Sequence, residues 1–91
     1  MKTRATVTIR GLVQGVAFRH HTRETALRHH VTGWVKNLPT GEVQGCFEGD
    51  EAAVEKLVEW CHRGPSRAMV EQVIIERCDY RGEFASFEIR Y

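Results

Sequence analysis

Gly11-Leu12-Val13-Gln14-Gly15-Val16-Ala17-Phe18-Arg19 joins two segments of different periodicity. Before it, Ala5, Val7 and Ile9 alternate with Arg4, Thr6, Thr8 and Arg10, the period-2 pattern of a half-buried strand. After it, from about Phe18 to His30, the spacing turns helical, with Phe18, Thr22, Ala26 and Leu27 on a narrow face. The stretch is therefore a strand-to-helix loop. It holds two glycines and ends in an arginine, Arg19, at the helix entrance. A cation is out of place there, because the positive end of a helix dipole repels it by about 0.3–1 kcal/mol near the surface. An anion held between the loop amides and Arg19 would remove the mismatch.

The rest of the chain completes a pattern around that loop. Trp34-Val35-Lys36 follows Gly33 as a second strand, and Leu38-Pro39-Thr40-Gly41 reads as a turn. Val43, Gly45 and Phe47 alternate along a third strand, which pairs with the second as an antiparallel hairpin. Asp50 is the expected N-cap of a second helix. On that helix Val54, Leu57, Val58 and Cys61 fall at i, i+3, i+4 and i+7 and predict the core-facing stripe. Gly64-Pro65 stops it. A fourth strand is expected around residues 70–78, a loop from Asp79 to Gly82, and a short last strand through Phe87, Ile89 and Tyr91. The order β-α-β-β-α-β plus a terminal strand predicts an α+β sandwich. Two helices lie on one face of a mainly antiparallel sheet, in the ferredoxin-like arrangement.

With 91 residues, a single domain spanning 1–91 is expected. Thirteen basic against twelve acidic residues leave a net charge of +1, which argues against a polyanion-binding protein. Cys46, Cys61 and Cys78 are odd in number and lack a CxxC pair, so a reduced, cytoplasmic chain is expected, with no zinc or disulfide framework. No run approaches the ~20 apolar residues of a membrane span. The five histidines lack an HExxH or Cys/His pairing, so no metal is expected.

Two places carry candidate chemistry. In the loop, Gly15 admits close backbone approach, and the amides of Gly15, Val16, Ala17, Phe18 and Arg19 can point into one concavity. Arg19 adds a planar fork suited to phosphate oxygens. Neither GxxxxGK[ST] nor GxGxxG is present. The second is Asn37, whose amide both donates and accepts and so can hold a water. A plain strand-to-helix turn with a solvated Arg19, and an ordinary turn asparagine, account for the same spacing, which leaves both pairs of readings open.

The loop resembles the G-x-V-Q-G-V-x-[FY]-R signature of the acylphosphatases. Gly33-Trp34-Val35-Lys36-Asn37-Leu38-Pro39-Thr40-Gly41-Glu42-Val43, continuing to Gly49, resembles that family's second signature. Gly64-Pro65-Ser66 and Phe87-Glu88-Ile89-Arg90-Tyr91 are similar too, so the likeness covers nearly the whole chain. Where the family often has a Leu-Gly-Leu-type segment, this chain has His29-His30-Val31-Thr32, a departure at the end of the first helix. The resemblance implies hydrolysis of the carboxyl–phosphate bond without a metal or other cofactor; a monomer is the default expectation for a chain with no obvious exposed stripe. It implies an acyl phosphate as substrate and orthophosphate as product or competitor; the near-neutral charge and the lack of a long apolar run predict no nucleic-acid or membrane partner. Arg19 would bind the phosphate together with the Gly15–Arg19 amides, and Asn37 would position water. Family structure further suggests that the α-carboxylate of Tyr91 pairs with Arg19. Two rivals share the fold class. One is the acylphosphatase-like relay domain of hydrogenase-maturation carbamoyltransferases, which binds carbamoyl phosphate or a similar anion. The other is an RNA-binding domain, whose RNP pattern is absent here.

Overall fold

A computed structural model describes all residues 1–91. The elements run β1 (Lys2–Leu12), α1 (Phe18–Arg28), β2 (Thr32–Asn37), β3 (Val43–Asp50), α2 (Glu51–Arg63), β4 (Met69–Cys78) and β5 (Phe87–Arg90). They build one five-stranded sheet in the order β4-β1-β3-β2-β5. Every pairing is antiparallel except β2 with β5, which is parallel. This is the expected ferredoxin-like sandwich with its extra C-terminal strand.

The core lies between the sheet and the two helices. Ala5, Val7 and Ile9 are wholly buried on β1, and Val54, Leu57, Val58 and Cys61 meet them from α2, as the stripe predicts. Each fully buried Val, Leu, Ile or Phe contributes roughly 1.5–3 kcal/mol. Cys61 is packed so completely that burial drives its thiol far above the ordinary range.

α1 departs from its expected face. Leu27 is exposed, and Thr25 is buried instead, together with Phe18, Thr22 and Ala26. The two threonines tolerate burial because their hydroxyls donate back to main-chain carbonyls, Thr22 to Phe18 at 2.7 Å and Thr25 to His21 at 2.8 Å. Apolar periodicity does not detect such a stripe. Asp50 does precede α2, but its side chain makes no capping bond. The Glu51 amide donates to the Met1 carbonyl at 2.8 Å instead.

α1 ends at Arg28, two residues before the sequence pattern fades. The Val31 amide donates to the Ala26 carbonyl at 2.9 Å and the His30 amide to that of Leu27 at 3.3 Å. These are the two bonds of a Schellman motif, whose left-handed position is usually glycine. Here it is His30, at φ 58°. A left-handed L-residue costs about 1–2 kcal/mol, and added glycine freedom in the unfolded chain returns about 0.4–1. His30→Gly is therefore expected to stabilise the fold by about 0.5–1 kcal/mol and raise Tm by roughly 3–6 °C. Thermal melting with an activity check reads this out. An unchanged or lower Tm would show that the left-handed turn carries no strain.

The face of the sheet away from the helices is partly roofed by residues 79–86. Glu48, on β3, is wholly buried there. Its carboxylate accepts the amides of Arg81 at 2.8 Å and Glu83 at 3.2 Å and lies 3.7 Å from Arg4. Arg4 also pairs with Glu83, a hydrogen bond that lowers the Glu83 carboxyl below its usual range. These bonds hold the segment that leads into β5.

Candidate active site

The loop between β1 and α1 rises at one end of the sheet. Gly15 has φ 75° and nothing within 4 Å of where a Cβ would sit, so the backbone there is bare toward solvent. Ala17 is left-handed as well, at φ 61° and ψ 28°, and helical residues follow it at once. A left-handed residue beside a right-handed one turns successive amides toward one concavity. None of the turn, loop and cap hydrogen bonds uses the amides of Gly15, Val16 or Ala17, and no side chain caps α1. The first turn of α1 contains no acid either. The donors that every helix leaves unpaired at its start are thus gathered at one point.

Arg19 is half-buried beside them. Its Nη1 donates to the Arg90 carbonyl at 3.3 Å, and its guanidinium lies 4.8 Å from the Tyr91 ring centroid. The ion pair anticipated with the Tyr91 carboxylate is not formed. β5 holds Arg19 instead through a main-chain oxygen and an aromatic face, because the strand brings its last carbonyl and ring alongside α1.

Asn37 ends β2, opposite Val43 in the hairpin. Its Oδ1 is buried without a hydrogen-bond partner, the one side-chain polar atom so placed. An unsatisfied buried acceptor costs about 1–3 kcal/mol, and such atoms cluster where another molecule completes them. Arg19, Asn37, Gly15, Ala17 and Phe18 line a single cleft of about 250 Å³. Val16 does not line it; it borders a neighbouring cleft on the far side of the loop with His21 and Arg67. Both candidate site positions in the two sequence blocks therefore face one space.

Sequence reasoning missed how the blocks are joined. Gln14 Nε2 donates to the carbonyls of Leu38 at 2.8 Å and Glu42 at 2.9 Å, tying the loop to the β2–β3 turn. The turn is itself closed by the Leu38 amide on the Glu42 carbonyl at 2.8 Å. Arg10 and Thr40 bond the Glu42 side chain, and the Arg10 hydrogen bond holds that carboxyl below its usual range. An amide side chain between two glycines was the available signal for Gln14. Val13, His20, Ile89 and the Tyr91 ring also line the cleft. His20 and His21 both face Glu24, at 3.7 and 3.1 Å, and no three His, Cys, Asp or Glu side chains converge anywhere.

Comparison with known proteins places this architecture. Residues 5–89 match the family model for acylphosphatase. The chain is 68% identical to an acylphosphatase of Geobacter sulfurreducens over all 91 residues of both, and 67% identical to that of Geobacter metallireducens, covering 98% of it. It superposes on the crystal structure of an acylphosphatase from Bacillus subtilis with a TM-score of 0.94, at 30% identity and over the full length of each. The chain belongs to the acylphosphatase family. It is accordingly an enzyme of the acyl-phosphate hydrolase class, and full-length likeness to acylphosphatases does not favour the relay-domain reading.

Proposed function

We propose that Arg19 and the amides from Gly15 through Arg19 bind the phosphate of an acyl phosphate, and that Asn37 holds the attacking water. Water attacks phosphorus, the bond from phosphorus to the acyl oxygen breaks, and the carboxylate departs with the bonding pair. The proton of the attacking water ends on the phosphate product or in solvent. A carboxylate is a good leaving group, so no general acid is needed to protonate it. Positioning and neutralisation of the equatorial oxygens remain, which is what amides and a guanidinium supply. They supply it without a metal.

The observation that carries this reading is the convergence of Arg19 and the orphaned Asn37 Oδ1 on one cleft beside an uncapped helix start. The domain spans residues 1–91 and works as a cytoplasmic monomer on a small molecule, with neither nucleic acid nor membrane as partner. The near-neutral net charge supports the absence of a polyanion partner, and no helix is long and apolar enough to cross a membrane. A spectrophotometric assay with a simple acyl phosphate tests the function. Hydrolysis is expected to persist in chelator and to be inhibited competitively by orthophosphate. Loss of activity in chelator, or inhibition that substrate does not relieve, would overturn it.

A further inference from the structure

The β1–α1 loop and the β2–β3 turn both leave the sheet where its central ladder has ended. The β1–β3 pairing stops with Ile9 opposite Val43. Beyond that point β1 runs on against β4 alone, with Gly11 opposite Val70 and Leu12 opposite Met69. No main-chain hydrogen bond joins residues 13–17 to residues 38–42. Yet the cleft draws on both segments, Gly15, Ala17 and Arg19 from the first and Asn37 from the start of the second.

Two side-chain links cross this gap. One is the ion pair of Arg10 with Glu42, in which Arg10 is 53% exposed and solvent screens the attraction. The other is Gln14, which is half-buried and whose Nε2 reaches the Leu38 and Glu42 carbonyls at 2.8 and 2.9 Å. Two carbonyl partners fix which end of the amide points there, because only its NH2 group donates twice.

The turn closes without these two bonds. The Leu38 carbonyl already accepts the Gly41 amide at 3.1 Å, and the Glu42 carbonyl accepts the Leu38 amide at 2.8 Å. Asn37 is held by its own pairing opposite Val43. Gln14 therefore takes a second lone pair on each oxygen, and what it adds is the distance between two segments. Gln14 adjoins Gly15 in the chain and Leu38 adjoins Asn37, so one carboxamide ties the neighbour of the bare loop backbone to the neighbour of the orphaned Oδ1.

We propose that Gln14 is a positioning residue, which sets the separation of the anion-binding loop from Asn37 so that the water on Asn37 lies in line with phosphorus. This rests on the roles proposed above for the loop and for Asn37. Gln14 does not itself handle substrate, since both amide protons are committed to main-chain carbonyls. A misplacement of about 1 Å in such a site costs about 10²-fold in rate. The loop binds phosphate with its own amides and Arg19, so affinity for phosphate should survive.

The test is Gln14→Met, which keeps the length of the side chain and removes both donors. Its kcat for an acyl phosphate should fall about 10- to 100-fold, while orthophosphate inhibits within about threefold of the parent. In an Asn37→Ala background the same change should lower kcat by no more than about twofold, because no held water remains to be misplaced; a merely structural role would cost the same in both backgrounds. Gln14→Asn is one methylene too short to span both carbonyls and should show the same split if Gln14→Met does not fold. The inference alone is overturned if Asn37→Ala loses its kcat but Gln14→Met keeps the parental value. It is equally overturned if phosphate affinity falls in step with the rate, if the loss is undiminished in the Asn37→Ala background, or if neither Gln14 variant folds. Parental kcat in Asn37→Ala by itself would strike the water assignment first and the inference with it.

Discussion

Arg19→Ala is expected to lower kcat/KM for an acyl phosphate by about 10³-fold and to raise the inhibition constant of orthophosphate by at least about tenfold. Hydrogen bonds to charged groups are worth about 1.5–3 kcal/mol, and a guanidinium offers two in a fixed fork. Removing one preorganised donor from a developing anion typically costs about 10²–10³ in rate. The stability of the free protein should move the other way or not at all. Arg19 contributes one bond to the Arg90 carbonyl and a contact with the Tyr91 ring, against the repulsion of a positive helix end. A melting curve within about 1 kcal/mol of the parent, beside a collapsed rate, separates loss of chemistry from loss of fold. Arg19→Lys keeps the charge but not the fork and should recover only part of the rate. Parental kinetics in Arg19→Ala would place the phosphate elsewhere.

Asn37→Ala is expected to lower kcat by about 10²-fold or more while orthophosphate inhibits within about threefold of the parent. In the proposed mechanism the residue handles the water rather than the phosphate, so its loss belongs to orientation, where small displacements cost factors of that size. Deleting a side chain whose Oδ1 is buried and unpartnered removes a penalty, so the variant should remain folded. Asn37→Asp nearly conserves shape and turns an amide into an anion facing the bound phosphate. It should raise the orthophosphate constant as well as lower kcat. Steady-state kinetics with phosphate inhibition distinguishes these outcomes. An Asn37→Ala variant that loses phosphate affinity while keeping kcat would reverse the assignment.

The legible parts of the molecule were those with local signatures. The alternation of β1, the α2 stripe and the Pro-Thr-Gly turn depend on near neighbours in the chain, and each stands where its pattern put it. The position of Arg19 at an uncapped helix start was readable as an electrostatic mismatch. What stayed hidden depends on distant partners. Glu48 is buried because a segment more than thirty residues away brings two amides to it. Thr25 replaces Leu27 in the core because α1 is rotated by its packing, and hydroxyl bonds within the helix permit it. Gln14 bridges two blocks that sequence spacing shows only as separate motifs. The ring of Tyr91, not its carboxylate, reaches Arg19, a contact with a residue seventy-two positions away in the chain.

The bare start of α1 also makes folding and ligand occupancy one equilibrium. In the proposed site, orthophosphate would stand where a capping side chain would, and only when the turn is assembled. Binding to the native state alone adds RT ln(1 + [L]/Kd), about 2.7 kcal/mol at a hundred times Kd. For a 91-residue chain this is a sizeable share of the roughly 5–15 kcal/mol that holds a domain together. The product of the reaction is then also a conformational ballast. On this proposal, the resistance of the protein to heat and proteases is expected to rise and fall with the phosphate level around it.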